Sequence, residues 1–353
     1  MSVIGFDIGT YAAKALLLSI KGKGKSQSVT LDGLGFSQMP SGVMAQWEDQ
    51  PVPARTAMSA AMRTLVKLCK LSRGRYAALS LSGETMIIKK ISMPVTSQKE
   101  LRQSLALEAE QYIPYPISEV IIDGHILTTE DSYGQMSVLL VAARREVVYN
   151  YIQAIALTKV LKPAVIDIDV LALFNAYDFI YPNSSENVIL VDIGASMIHI
   201  TVLVDGLPHT LKEESVGGQR LTEDIEDAFN ISPEEAESIK FGTTAPPDLN
   251  ECREVFDRIV SNWQAAIDRA IEQTRAEVPN YNPSKIFLAG GGANINGLVE
   301  QFHNYYNVPA DIFNPLTYVK FNTKKFDRSY IDYIGPQMAV AFGLAIRSKP
   351  EKL

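Results

Sequence analysis

Two stretches of this chain repeat one another: IGFDIGTYAAKALLL at residues 4–18 and ILVDIGASMIHITVL at residues 189–203. Each sets an apolar run before Asp-Ile-Gly and a second apolar run after it, with Asp7 and Gly9 matched by Asp192 and Gly194. Apolar runs of this length on either side of a glycine turn read as the two strands of a hairpin. The same hairpin twice, about half the chain apart, predicts two lobes built to one plan.

The rest of the chain fits around those hairpins. Residues 2–39 predict three strands, at 3–6, 13–20 and 28–36, with Lys21-Gly22-Lys23-Gly24-Lys25 as a solvated turn. Ala54, Met58, Met62, Leu65, Val66 and Cys69 recur at helical spacing, and a strand follows at 76–81. Residues 84–162 predict an inserted β-α-β-β-α subdomain. It begins with the strand MIIKKISMP, followed by a helix that the PYP at 114–116 stops. Two strands near 120–127 and 135–142 and a helix near 146–157 complete it. Ser97 with Glu100 three residues on is a capping-box signature, repeated by Ser232 with Glu235, where Pro233 takes the first helical position.

The first lobe, 1–180 with its insert at about 84–162, resumes in AVIDIDVLALFNAYDFI at 164–180. YPNSSEN at 181–187 reads as the linker and 188–353 as the second lobe. There, Val255, Ile259, Trp263, Ile267 and Ile271 step by four along one face of a long helix. KIFLAGGGANINGLVEQF at 285–302 is strand, glycine turn and helix, and PQMAVAFGLAIR at 336–347 is a helix of small residues.

Bulk properties exclude several classes. The 353 residues are 46% hydrophobic and 21% charged, enough to fill large cores. A net charge of −7 argues against a general nucleic-acid binder, whose footprint is a basic face. Cys69 and Cys252 are the only cysteines, which suits a reducing compartment. The N-terminal run lacks the flanks of a signal peptide, and no apolar run approaches the ~20 residues that cross a bilayer. The expectation is a cytoplasmic protein that reaches a membrane only through a partner.

Some residues point to chemistry. A carboxylate at a buried strand end, such as Asp7, can hold a hydrated metal ion, and Gly9 beside it lets backbone amides approach a phosphate. Thr10 adds a hydroxyl, and Lys14 on the outgoing strand can reach a terminal phosphate. Asp192, Gly194 and Ser196 repeat the pattern, but Met197 and Ile198 stand where hydroxyls would serve, and His199 reads as a strand-face residue rather than a base. Gly290-Gly291-Gly292 leaves room for a flat ring or sugar, or is only a tight turn; Gly217-Gly218 is a weaker version. Glu237 and Lys240, three apart on a helix, are either a solvated ion pair or contacts to ribose and base. No Cys/His metal cluster, nucleophile elbow or Walker loop is present, and His125, His209 and His303 read as structural or exposed.

In order along the chain, FDIGTYAAK resembles the phosphate-1 loop of the actin-like ATPase superfamily of actin, Hsp70, sugar kinases and FtsA. AVIDIDVLALFNAY resembles its first connecting helix, VDIGASMIHI its phosphate-2 loop and SVGGQRLTEDIEDAF…EEAESIK the segment reaching towards the nucleoside. FLAGGGANINGL resembles the adenosine motif, and PQMAVAFGLAIR the second connecting helix. Within the superfamily, ELRQSLALEAEQYIPYPISEV and GGQRLTEDI are similar to the PilM family of type IV pilus assembly.

The resemblance implies an α/β actin-like ATPase fold with two duplicated, ribonuclease H-like lobes. It implies ATP or ADP with Mg²⁺ between them, the ion held near Asp7 and Asp192 through water. It implies binding of the N-terminal cytoplasmic tail of the inner-membrane protein PilN, with other pilus inner-membrane proteins as partners, and leaves self-association open. Asp167 and Asp169 both stand near the start of the first connecting helix as candidates for the catalytic carboxylate, and the expected hydrolysis is slow at best. Two alternatives are an FtsA-like division protein, disfavoured by the short polar end Ser348–Leu353, and a small-molecule kinase of the same superfamily.

Overall fold

The computed structural model of the chain describes residues 3–22, 28–44, 51–71, 74–83, 86–128 and 134–347. Most of the Lys/Gly turn at 21–25 and the terminal segment 348–353 lie outside the described residues. In the first half, β1 (Val3–Ile8), β2 (Ala12–Lys21) and β3 (Ser28–Gln38) form an antiparallel meander. Helix α1 (Pro51–Leu68) leads to β4 (Arg75–Leu81) and then to β5 (Met86–Pro94), α2 (Gln98–Ala109), β6 (Val120–Thr128) and β7 (Gln135–Arg144). Helix α3 (Arg145–Leu157), β8 (Leu161–Ile168) and α4 (Asp169–Ile180) return to the first sheet, whose order is β3-β2-β1-β4-β8.

The second half repeats this plan. β9 (Val188–Ile193), β10 (Ile198–Val204) and β11 (Leu207–Glu214) are again a meander. Helices α5 (Gly218–Phe229), α6 (Pro233–Lys240) and α7 (Leu249–Glu277) precede β12 (Lys285–Ala289). Helix α8 (Leu298–Tyr306), β13 (Ala310–Ile312), α9 (Arg328–Ile334) and α10 (Ala339–Ala345) follow. The sheet order, β11-β10-β9-β12-β13, matches the first strand for strand, with β1 and β4 parallel as β9 and β12 are. Even the irregularities repeat: the β2–β3 ladder slips between Leu17 and Leu18, and the β10–β11 ladder between Val202 and Leu203.

Local signals set several elements. Both capping boxes form: Ser97 accepts from the Glu100 amide and Ser232 from the Glu235 amide, each answered by the glutamate side chain. The i+4 row of α7 is buried throughout, and Trp263 donates its indole N–H to the Val216 carbonyl at 2.7 Å. That bond fixes the turn from which Gly217 and Gly218 start α5. In the three-stranded sheet β5-β7-β6, Leu101, Leu105 and Ala109 of α2 pack on Ile91, Met93, Val138 and Leu140. Helix α3 differs from its place in the sequence pattern. Its buried Val147, Val148, Tyr151, Ala154 and Ile155 join Ala54, Met58 and Leu65 of α1 in the first-lobe core rather than the core of the insert.

A separate core lies where the halves meet. Leu16 and Leu18 of β2, Leu173, Ala176 and Tyr177 of α4, Leu190 of β9, Phe287 of β12 and Phe342 of α10 pack together. Tyr181, the first linker residue, stacks on Phe287 with ring centroids 5.6 Å apart and shares a hydroxyl bond with Tyr318. Helices α4 and α10 touch at backbone distance: a methyl built on Gly343 would stand 1.7 Å from the Ala172 carbonyl oxygen. Among the described residues, no helix is long and apolar enough to cross a membrane.

Candidate functional site

The two repeated hairpins close the floor of a cavity of about 770 Å³. In each, the glycine after Asp-Ile turns the chain: Gly9 N–H donates to Ala12 O at 3.1 Å and Gly194 N–H to Met197 O at 3.0 Å. The hairpins meet tip to tip, with Thr10 Oγ1 donating to Ser196 Oγ at 3.0 Å. Antiparallel register sets Asp7 directly across from Lys14, and their ion pair is 2.7 Å. Burial by itself would lower the Lys14 ammonium. Asp7, Asp192 and Asp169 outweigh it and raise the group above the ordinary lysine value.

The same register in the second hairpin sets Asp192 across from His199. His199 is therefore the counterpart of Lys14, a cation-capable side chain facing the Asp of its own hairpin. It is 5% exposed, and its Nδ1 lies 3.4 Å from Asp192. Nε2 lies 3.4 Å from Glu213 and 3.8 Å from Asp169. Burial pulls the imidazole down, but the bond to Asp192 and the charges of Asp169 and Glu213 override it and raise it to about 9. The ring is thus an imidazolium at neutral pH. The sequence reading of a plain strand-face residue missed this; the signal was present in the repeat, because Lys14 and His199 stand equally far past their aspartates.

Asp169 opens α4 and faces this cluster, bonded to Ser80 Oγ. Burial raises its carboxyl strongly, His199 opposes that shift, and Asp7 adds to it. Asp167, two residues earlier on β8, does not line the cavity. Its carboxylate lies 3.4 Å from Arg347 Nε, and burial raises it while Arg347 opposes. The structure brings Asp169 to the cleft and leaves Asp167 outside it: on a continued strand the two would share a face, but β8 ends at Ile168 and Asp169 is already the first residue of α4.

On the far side of the cavity Lys240 reaches back across α5. It donates to Thr222 Oγ1 at 2.7 Å and Gly218 O at 3.2 Å, and pairs with Glu237. The pair is mostly buried, not solvated; burial lowers Lys240, and Glu237 partly restores it. Gly290 has φ +82, and a methyl there would fall 2.3 Å from Asp192 Oδ1. The glycine run thus sits against the second hairpin's aspartate, while Gly291 faces open cavity near Gln337. Gly292 and Gly218 also line it, whereas Gly217 packs behind, against Ala195. Tyr11, Phe241, Tyr330, Tyr333 and Gln337 complete the wall. Tyr11 and Gln337 fall inside FDIGTYAAK and PQMAVAFGLAIR without having been singled out there, and Phe241, Tyr330 and Tyr333 lie outside every motif.

Duplicated sheets, paired Asp-Gly hairpins and two crossing helices beneath them define the actin-like ATPase fold. MreB5 of Spiroplasma citri, in structures bound to AMPPNP and to ADP, shares it with TM-scores of 0.51 and 0.50 at 13% and 14% identity. Those matches cover 97% and 94% of this chain and 94% and 98% of theirs. The chain belongs to the PilM family: residues 5–349 match the family of type IV pilus assembly protein PilM. A chain of the PilM-PilN type IV pilus biogenesis complex is similar over 98% of both chains, at 26% identity and a TM-score of 0.83. The division-protein and kinase alternatives are not favoured by these matches.

Proposed function

We propose that this protein is a nucleotide-binding scaffold of type IV pilus assembly, working in the cytoplasm at the inner membrane through its partners. The cleft takes ATP or ADP, its phosphates between the two hairpins and its nucleoside towards Glu237, Lys240 and Gly290–Gly292. One observation carries this reading: matched hairpins, each with an Asp and a facing cation, bonded tip to tip over a large cavity. A hydrated Mg²⁺ fits the donor set. Asp7 and Asp192 already bond to Lys14 and His199, and among the described residues no three His, Cys, Asp or Glu side chains are grouped to ligate an ion directly. Mg²⁺ keeps most of its waters and leans on substrate phosphates, which suits such a site. Titration with a fluorescent ATP analogue is expected to give saturable binding with Mg²⁺ and at least about tenfold weaker binding in excess EDTA. No binding at near-millimolar ligand would refute the reading.

The partner is the N-terminal cytoplasmic tail of PilN, an inner-membrane protein, through which the cytoplasmic machinery is tied to the alignment complex. The family membership and the likeness to the PilM-PilN complex support it. The insert at about 84–162 contributes to the tail site, and the units 1–180 and 188–353 move against each other about the segment 181–187. Peptide grooves of this kind use apolar pockets and sheet edges. Charge substitutions on the exposed face of the insert are expected to reduce capture of a PilN-tail peptide at least about tenfold. Unchanged capture would remove the insert from the site.

A further inference from the structure

The insert touches the second lobe along β5 and β11, and the contact is polar at both ends. At one end Gly83, immediately before the insert, donates its N–H to Glu213 Oε2 at 3.1 Å. At the other Lys90 Nζ lies 2.8 Å from both His209 Nε2 and Glu277 Oε2. Between them Ile88 of β5 and Leu211 of β11 pack against the same core cluster.

His209 is the extra residue of the β11 bulge: Val202 pairs with Thr210 and Leu203 with Pro208, which leaves His209 opposite nothing on β10. Bulges re-aim side chains, and this one turns the imidazole out of its own ladder towards the insert.

The hydrogen bonds fix its tautomer. Thr274 donates to Ala270 O at 2.9 Å, so Thr210, 2.8 Å away, donates to Thr274. The Thr210 oxygen is then free to accept from His209 Nδ1 at 3.1 Å. Lys90 carries only donors, so Nε2 must offer it a lone pair. Both ring nitrogens agree on a neutral imidazole with its proton on Nδ1. We infer that Lys90, His209 and Glu277 form a clasp holding the insert to the second lobe, and that a second proton on His209 releases it.

The charged groups facing His209 are Lys90 from β5 and Glu277 from α7; its own strand supplies the Thr210 hydroxyl. Burial lowers the imidazole below its usual value, Lys90 lowers it further, and Glu277 opposes. A folded value below the unfolded one gives stabilisation that is complete above about pH 6.5 and is lost as pH falls through the folded value. Protonation would place two cations 2.8 Å apart, with Glu277, half exposed, as their shared counter-ion among the described residues.

The consequence rests on the functional reading above: the clasp would carry nucleotide-dependent closure of the cleft to the insert that meets the partner tail. The test itself needs no partner. Spin labels at Ser92 and Leu207, both exposed and each two residues from the clasp, report the separation. Cys252 is replaced by serine, and Cys69 is buried from reagent. The unsubstituted clasp is expected to give one short distance at about pH 7.5 and a second, longer population that grows as the pH is lowered from about 6.5 to about 4.5. Lys90→Met should show the longer population at every one of these pH values. His209→Gln, whose amide oxygen can accept from Lys90 without titrating, should keep the short distance at all of them. A clasp distance that ignores pH, or a His209→Gln variant that opens on acidification, would overturn the inference. Failure of a PilN-tail peptide to bind counts against the functional reading alone.

Discussion

Lys14→Ala is expected to weaken binding of a non-hydrolysable ATP analogue about a hundredfold, and Ser196→Ala less than about fivefold. The reason is charge. The cleft floor holds Asp7, Asp169 and Asp192, Glu213 lies behind them beside His199, and a polyphosphate adds more negative charge. Lys14 and His199 are the two cations that offset them there. Their spare capacity differs. An imidazolium has two N–H groups, and His199 points Nδ1 at Asp192 and Nε2 towards Glu213 and Asp169. An ammonium has three, and Lys14 makes one bond, to Asp7. Lys14 can therefore give two donors to a phosphate, while both His199 nitrogens already face carboxylates, Nε2 without a hydrogen bond made. Truncating one side of a buried, hydrogen-bonded charge contact with a ligand costs about 2–5 kcal/mol of binding, and about 3 kcal/mol is already two powers of ten in affinity. Losing one neutral hydroxyl bond costs about 1 kcal/mol. Calorimetric titration with Mg²⁺ reads both variants. Lys14→Gln, which keeps volume without charge, should track Lys14→Ala. A larger loss from Ser196→Ala would make the second hairpin the principal phosphate loop.

Gly343→Ala should destabilise the protein by about 3 kcal/mol, measured by equilibrium urea unfolding. The added methyl would stand 1.7 Å from a backbone oxygen of α4, and a backbone cannot rotate away as a side chain can. Helices α4 and α10 would have to separate, opening the core that Leu173, Ala176 and Phe342 fill between the halves. Gly291→Ala is the control. Its methyl would find its nearest neighbour at 3.9 Å, so stability should stay within about 0.5 kcal/mol. Equal losses at both positions would mean that helix contact is not what requires glycine at 343.

Much of the framework was legible because it is written in short-range patterns. The Asp-Ile-Gly hairpins, the capping boxes at Ser97 and Ser232 and the buried row of α7 each follow from residues within a few positions of one another. The candidate site was legible where it coincides with those patterns: the hairpin residues, Glu237, Lys240 and the glycine run all line the cavity. It was not legible where the decision lay in register or in distant partners. The point at which β8 gives way to α4 decides that Asp169 rather than Asp167 faces the cavity, and Asp167 is turned towards Arg347, about half the chain away. Tyr330 and Tyr333 reach the cavity because α9 is carried there by the fold, and nothing in their own segment announces it.

The sequence by itself determined that this chain makes one hairpin twice and builds a sheet on each, since strand, turn and cap preferences are local free energies. Only the tertiary structure decided how the two copies divide the work. The charge of a buried imidazole depends on which carboxylates surround it. Glu213 reaches His199 across the β10–β11 ladder of its own sheet, and Asp169 from α4 comes to it only when the halves close on each other. The bulge that aims His209 at Lys90 likewise gains a role only once the insert lies against β11. Electrostatic energies of this kind act between side chains far apart in sequence and are set by burial and distance, which composition and spacing do not encode.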